Sequence, residues 1–408
     1  MIYLDHNATS PLRPGVAGAM ARALDELIGN PSSVHAAGRR ARAAVEEARA
    51  SVARLVGAAR EEIVFTSGGT EGDNLAIRGL AAAAAARGRR HVVTSALEHP
   101  AVTGSMAALA ASGFEITRLP AASDGTIAVA ELERALRDDT GLVSLAAANH
   151  ELGNLYPIAA FAAAARARGA LFHTDAVQAA GKMPLDFTAL GVDAATLSAH
   201  KLGGPKAVGA VFVRRGLDLP PLLAGGHQEH ERRPGTENVA GIVGFGVACQ
   251  LVASESADEV RRLGTLRDEL ERRLLAVPGA RRFGAHDPEA ARLPGTTLMG
   301  FHGAPGQLVA IGLDLEGICV STGAACTSGS LEPSPVLRAL GLDAKAAGEG
   351  VRVSLGWSTT AADVDRLCGC LPAIVERVRA ASREDEPPAR AALGRAEVAA
   401  ALAGGATP

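Results

Sequence analysis

Lysine is nearly missing from this chain: of 41 basic residues only four, Lys182, Lys201, Lys206 and Lys345, are lysines. An arginine stays protonated, whereas a lysine amine can lose its proton and attack a carbonyl. Two of the four sit together in SAHKLGGPK, residues 198–206, which makes a Schiff base one candidate reading of that stretch. A charge excess of either sign is lacking too. The formal net charge is −3, so the electrostatic footprint of a nucleic-acid binder or of a protein seated on an anionic membrane is excluded. Paired cysteines are lacking as well. Cys249, Cys319, Cys326, Cys368 and Cys370 are odd in number and unevenly spaced, which argues against a secreted disulfide framework. Long apolar runs are absent: the alanine tracts at Ala81–Ala86 and Ala159–Ala165 are short and bounded by arginine, too short to span a bilayer. The opening MIYLDHNATSPLRP has no apolar stretch behind a basic start, unlike a signal peptide. These absences predict a cytoplasmic protein working on small molecules, with no membrane or direct nucleic-acid partner.

What is present is alternation. Short apolar runs at Ile63–Phe65, His91–Ser95, Gly141–Ala147, Ala170–His173, Asp193–Ser198 and Gly209–Val213 are separated by helical patterns such as Asp73–Arg87 and Pro157–Arg168. This pattern predicts an α/β fold with a mostly parallel sheet and helices on both faces. Sites in such sheets lie beyond the carboxyl ends of the strands, and there the polar residues gather: Ser67–Thr70, Glu98-His99, Asn149–Glu151, Asp175 with Gln178, and His200-Lys201. From about Asp258 the pattern changes to long helices around short strands at Thr296–Phe301 and Val351–Leu355, as expected of a second, smaller α+β unit. We expect residues 15–258 to form the large domain, residues 1–14 and 259–382 the small one, and residues 383–408 a mobile tail.

Three features carry chemistry. The loop TSGGTEGDN, residues 66–74, joins a strand to a helix, and its glycines together with a helix N-terminus suit a phosphate. Taken alone it is equally a glycine-rich turn with Thr70 as a helix cap. It lacks the lysine of a P-loop and the spacing of a dinucleotide fingerprint. Asp175, just beyond the strand Ala170–His173, reads by itself as a helix cap or an ordinary surface acid, and beside Lys201 as the anionic partner of a pyridinium nitrogen. Phosphate loop, aspartate and lysine together suggest pyridoxal phosphate. Finally, STGAACTSGS, residues 321–330, surrounds Cys326 with small and polar residues, the setting of an exposed nucleophilic thiol rather than of a buried structural one.

With these motifs, and with Tyr3-Leu4-Asp5, Asn30–His35, LEHPAV at 97–102, Asp175–Gln178, Arg233–Thr236 and Arg352–Gly356, the sequence resembles the cysteine desulfurases of the NifS/IscS-type group. That group lies within the class V aminotransferase branch of fold-type I pyridoxal phosphate enzymes. The resemblance implies a seven-stranded, mostly parallel sheet and a homodimer acting on L-cysteine. It implies that Lys201 carries pyridoxal 5'-phosphate and acts as the proton-transfer base, that His99 stacks on the ring, that Asp175 pairs with its nitrogen and that Gln178 reaches its phenolic oxygen. Gly69, Thr70, Ser198 and His200 would hold the phosphate, with Thr236 supplied by the other subunit, while Asn30 and Arg352 would bind the substrate carboxylate. Cys326 would take the sulfur as a persulfide, leaving alanine, and pass it to a protein acceptor such as an iron–sulfur scaffold or a sulfur carrier. No resident metal is implied, although Cys326 would be able to ligate an iron–sulfur cluster in passing. One position departs from the pattern: the family reads Asn-Asn-Glu where this chain has Asn149-His150-Glu151, which sets His150 at the asparagine that contacts cofactor and substrate. His150 is expected to titrate within the working pH range. An aminotransferase or a selenocysteine lyase on the same fold, and a non-catalytic scaffold with a degenerate site, are the competing readings.

Overall fold

In the computed structural model, residues 1–286, 291–322 and 333–384 are described, except for the side chains of Ser256, Arg383 and Glu384. Cys326 and the expected tail beyond Glu384 lie outside the described residues. Among the described residues there are twelve strands: β1 (Ile2–Tyr3), β2 (Ile63–Thr66), β3 (His91–Ser95), β4 (Glu115–Leu119), β5 (Thr140–Ser144), β6 (Leu171–Asp175), β7 (Ala194–Ser198), β8 (Gly209–Val213), β9 (Ala280–Phe283), β10 (Thr296–Phe301), β11 (Ile318–Cys319) and β12 (Gly350–Ser354). Seven of them form one sheet in the order β2-β8-β7-β6-β5-β3-β4. Within it β4, β3, β5, β6 and β7 pair parallel, and only β8 runs against its two neighbours. The fold is therefore the α/β architecture of the fold-type I enzymes, with helices such as Gly69–Ala85 and Ile158–Ala167 packed on the sheet.

β2, β3, β5, β6, β7 and β8 are buried along their whole length, which is why they read as continuous apolar runs rather than as alternation. Register gathers the strand ends. Gly209 lies opposite both Ser198 and Thr66, and a Cβ there would come within 2.7 Å of the Gly68 Cα. Glycine is thus required for the loop after β2 to close over the end of β7.

A smaller antiparallel sheet, in the order β12-β10-β9, follows, and β1 pairs parallel with β11. Leu4 packs into the hydrophobic cluster of this region with Met299, Phe301, Val351 and Leu371, so the chain's start is folded into its later part. The helix Val239–Leu274 turns by 76° between Glu255 and Ala257. No single helix among the described residues is long and apolar enough to cross a membrane.

One buried ion pair pins the loop before this helix to the large sheet. Arg49, 1% exposed, donates from Nη1 and Nη2 to the two carboxylate oxygens of Glu229, each at 2.7 Å, and from Nη1 to the Ile63 carbonyl. Glu229 also accepts the Phe65 N–H at 2.8 Å. Its φ of +47° lies in the left-handed region, a conformation that these bonds hold in place against its cost. Breaking such a pair leaves a buried charge without its counterion. Glu229→Gln is expected to destabilise the fold by about 3–5 kcal/mol, seen as a lowered urea midpoint at unchanged slope; a midpoint shift equal to that of an exposed pair such as Arg134–Glu131 would refute it.

Candidate active site

The carboxyl ends of β2, β3, β5, β6 and β7 converge, and the loops that follow them supply the side chains. Beyond β2, Gly68 rather than Thr70 caps the helix Gly69–Ala85. The expectation of a Thr70 cap is corrected: Thr70 stands inside the first turn, where the N–H groups are free of intrahelical partners. Gly69 lies against Val177 and Ser198. Ser198 itself is 3% exposed, and its Oγ is buried without a hydrogen-bond partner. A buried hydroxyl left this way costs about 1–3 kcal/mol, so its orientation toward a helix N-terminus fits a bound anion.

Beyond β3, His99 caps the helix Pro100–Ala111 by accepting the Ala101 N–H at Nδ1, 3.1 Å. This bond fixes the tautomer of the neutral ring. His150, beyond β5, meets it edge-on, with ring centroids 5.3 Å apart. Asp175, at the end of β6, accepts the Val177 N–H at 2.9 Å. Asp73, His99 and Asp175 place one polar atom each within 4.8 Å of the others. Burial pushes both carboxyls above the usual carboxylate range, Asp73 furthest because Asp175 faces it. Two buried acids side by side call for a positive charge. A protonated pyridine nitrogen is such a charge, and together with the unpartnered Ser198 hydroxyl it makes the residues present fit pyridoxal phosphate.

Lys201 ends the short turn Ala199–Lys201 directly after β7, and its amine donates to the carbonyls of Asn7 at 2.5 Å and Ala8 at 2.8 Å. His200 Nδ1 lies 3.1 Å from the Thr9 hydroxyl. Gln178 donates to the Asn7 carbonyl at 3.0 Å and accepts from Lys182 at 2.8 Å. Arg352, on β12 and 3% exposed, binds Asp5 at 2.9 Å and the His150 carbonyl at 3.1 Å. The N-terminal segment Asp5–Thr9 therefore joins the cofactor-side residues to the arginine. Asn30 and Thr236 are exposed; the hydrogen bonds of Asn30 stay within its own turn, and no hydrogen bond among the described residues links either residue to the rest of the set. Arg233, three residues before Thr236, pairs with Glu71 beside the phosphate loop at 2.9 Å. Asn7, Asp73 and Lys182 were missed from the sequence; for Lys182 the scarcity of lysine was a usable signal.

The expected titration of His150 is corrected. The side chain is buried, and burial, then the neighbouring His99, Arg352 and Lys201, hold its pKa well below 6.5. It is neutral across the working range. A histidine held neutral favours the folded state above pH ~6.5 and loses that contribution as pH falls below it. His150→Asn is thus expected to keep the limbs of the pH–rate profile and to lose less stability between pH ~6.5 and ~5 than the parent. Thermal melts across that range check it, and an unchanged acid slope refutes it.

The aminotransferase class-V family model matches residues 2–367, and the chain belongs to this family. It is 46% identical over 383 residues to a cysteine desulfurase of Nostoc sp., covering 94% of each chain. Among solved structures it resembles a NifS-like protein with a TM-score of 0.86 and 34% identity, covering 92% of this chain and 99% of that one. It also resembles SspA in complex with cysteine, with a TM-score of 0.77 and 32% identity, covering 87% and 99%.

Proposed function

We propose that this chain is a pyridoxal phosphate-dependent cysteine desulfurase that converts L-cysteine to L-alanine and leaves the sulfur as a persulfide on Cys326. The observation that carries this reading is the convergence of the Lys201 amine, the Asp175 carboxyl and the unpartnered Ser198 hydroxyl at one edge of the sheet. When bound, the cofactor supplies an electron-withdrawing ring that makes the Cα–H of the substrate acidic. This chain's residues do the rest. Ser198 and the N–H groups around Gly69 and Thr70 would hold the phosphate, Asp175 would keep the ring nitrogen protonated, and His99 and Gln178 would hold the ring. Arg352 holds the substrate carboxylate, and Lys201 moves the proton at Cα. The Cys326 thiolate attacks the substrate sulfur; the C–S bond breaks, its electron pair stays with the carbon fragment, and that fragment takes up a proton at Cβ to become alanine. Neutral His150 contributes a hydrogen bond without a change of charge.

The proposal extends to a homodimer in which Thr236 of each copy approaches the other copy's phosphate, and to a protein sulfur acceptor. It also includes the division into residues 15–258 and residues 1–14 with 259–382, which the bend at Glu255–Ala257 and the separate hydrophobic cluster around Leu4 support. Purified protein loaded with pyridoxal phosphate should release alanine and protein-bound persulfide from cysteine in equal amounts. Pyridoxamine phosphate formation with release of a keto acid would overturn the reading in favour of an aminotransferase.

A further inference from the structure

Two of the four lysines share one asparagine. Lys182 Nζ donates to Asn7 Oδ1 at 2.9 Å and Lys201 Nζ donates to the Asn7 carbonyl at 2.5 Å. The remaining pair, Lys206 and Lys345, is exposed. We propose that Lys182 is a positioning residue that, through Asn7, governs the charge carried by Lys201. The proposal rests on the reading of Lys201 as the reactive amine and adds a residue to its control.

The geometry around Lys182 is that of a cation held without a counterion. Both acceptors of its amine, Asn7 Oδ1 and Gln178 Oε1, are neutral amide oxygens. The charged groups that face it are Lys201 and Arg352, both positive. Asp5 is engaged by Arg352 at 2.9 Å, and Glu255 and Glu259 are engaged by Arg13 at 2.6 and 2.9 Å. His6 and His200 are both pushed down to about 4, by burial first, and add no charge at neutral pH. Asp175 and His99 lie on the Lys201 side of the cluster. Burial, then Lys201 and Arg352, push the Lys182 amine down to about 7. Two ammonium groups so close resist being charged together, so their protons leave in steps that belong to the pair. Loss of the first proton from the pair leaves one amine uncharged and able to act as base or nucleophile. A neighbouring cation is one of the established ways to activate a lysine.

The same contacts explain a positional role. Because the Gln178 oxygen accepts the hydrogen bond from Lys182, its amide NH2 faces the other way, toward the Asn7 carbonyl. A small cavity of about 30 Å³, lined by Lys182, Lys201, His6, Arg13, Thr296 and Trp357 among others, adjoins both amines. It has room for a water.

The test uses the full-length chain freed of cofactor and grown with lysine labelled with 13C at Cε. Four lysines give four resonances, each assigned by a single Lys→Arg substitution and followed by NMR against pH. In the parent chain the Lys182 and Lys201 signals are expected to titrate in two linked steps. Lys182→Gln, which keeps a hydrogen-bonding amide and removes the charge, should raise the Lys201 midpoint by about one pH unit or more. Lys182→Arg, which keeps the charge, should leave it within a few tenths of a unit. Independent single-step curves in the parent chain, or an unmoved Lys201 midpoint in Lys182→Gln, overturn the proposal, and the first of these needs no variant to fold. None of these readouts depends on turnover. A chain that released no alanine while its amine titrations behaved as expected would refute the proposed function and leave the role of Lys182 standing.

Discussion

Lys201→Ala is expected to lower turnover of cysteine by about 10⁴-fold, because under the proposed function one substitution removes both the amine that carries the cofactor and the base that moves the Cα proton. The protein should still fold and still take up pyridoxal phosphate without a covalent bond. Ser198, Gly69 and Asp175 stand on β7, at the start of the helix that follows β2 and on β6, and their positions owe nothing to the lysine side chain. The variant loses, among the lysine's contacts, the hydrogen bonds to the Asn7 and Ala8 carbonyls, each worth about 1.5–3 kcal/mol in net stability when the amine is charged. The comparison with Lys206 sharpens the test. Both lysines lie in the same glycine-containing loop, but Lys206 is exposed, while Lys201 closes the turn directly beyond β7. Borohydride, which fixes the cofactor to the amine that carries it, followed by peptide mapping should place the label on Lys201 in the parent chain and nowhere in the variant. Label on Lys206 would overturn the assignment. Lys206→Ala should leave turnover within about twofold, as expected of an exposed side chain away from the reacting atoms.

The strands that sequence alone placed best are the ones whose burial is uniform. His91–Ser95 and Gly209–Val213 are buried throughout, and their apolar runs coincide with the strands observed. Glu115–Leu119 escaped notice because it is the sheet's edge, with Glu115 and Arg118 exposed, so no run of apolar residues marks it. Ala280–Phe283 escaped for a different reason: Arg281 and Arg282 look like surface charge but are tied to Glu349 and Glu271 at 2.8 Å each. Gly141–Ala147 was read too long, since the chain leaves the sheet after Ser144 to form the loop that carries His150. The polar residues at strand ends were legible because a parallel sheet puts those ends on one edge. The role of Asn7 was not, because its bond to Lys182 spans 175 positions of sequence, and no local pattern encodes such a contact. The charge state of His150 belongs to the same class. An imidazole's identity is written in the sequence, but its neutrality follows from burial beside His99, Arg352 and Lys201, which only the folded arrangement sets.

Cys326→Ser is expected to reduce alanine release and persulfide formation by at least about a hundredfold, since a serine hydroxyl is a far weaker nucleophile toward sulfur than a thiolate. Cys326 lies outside the described residues, but both ends of its segment are fixed at the site. On the near side Ser321 pairs with Arg352 through two backbone hydrogen bonds of 3.1 and 2.7 Å. On the far side the Ser334 hydroxyl donates to Glu151 at 2.6 Å, one residue from His150. These contacts of Ser321 and Ser334 do not involve the cysteine, and removal of one sulfur atom should leave the fold, the cofactor and the binding of cysteine intact. Cys326→Ser should then retain the parent's thermal midpoint and its spectral response to added cysteine while failing to produce either product. Alanine production at the parent's rate under reductant would show that the sulfur leaves without a protein thiol, and would return the activity to a lyase or an aminotransferase.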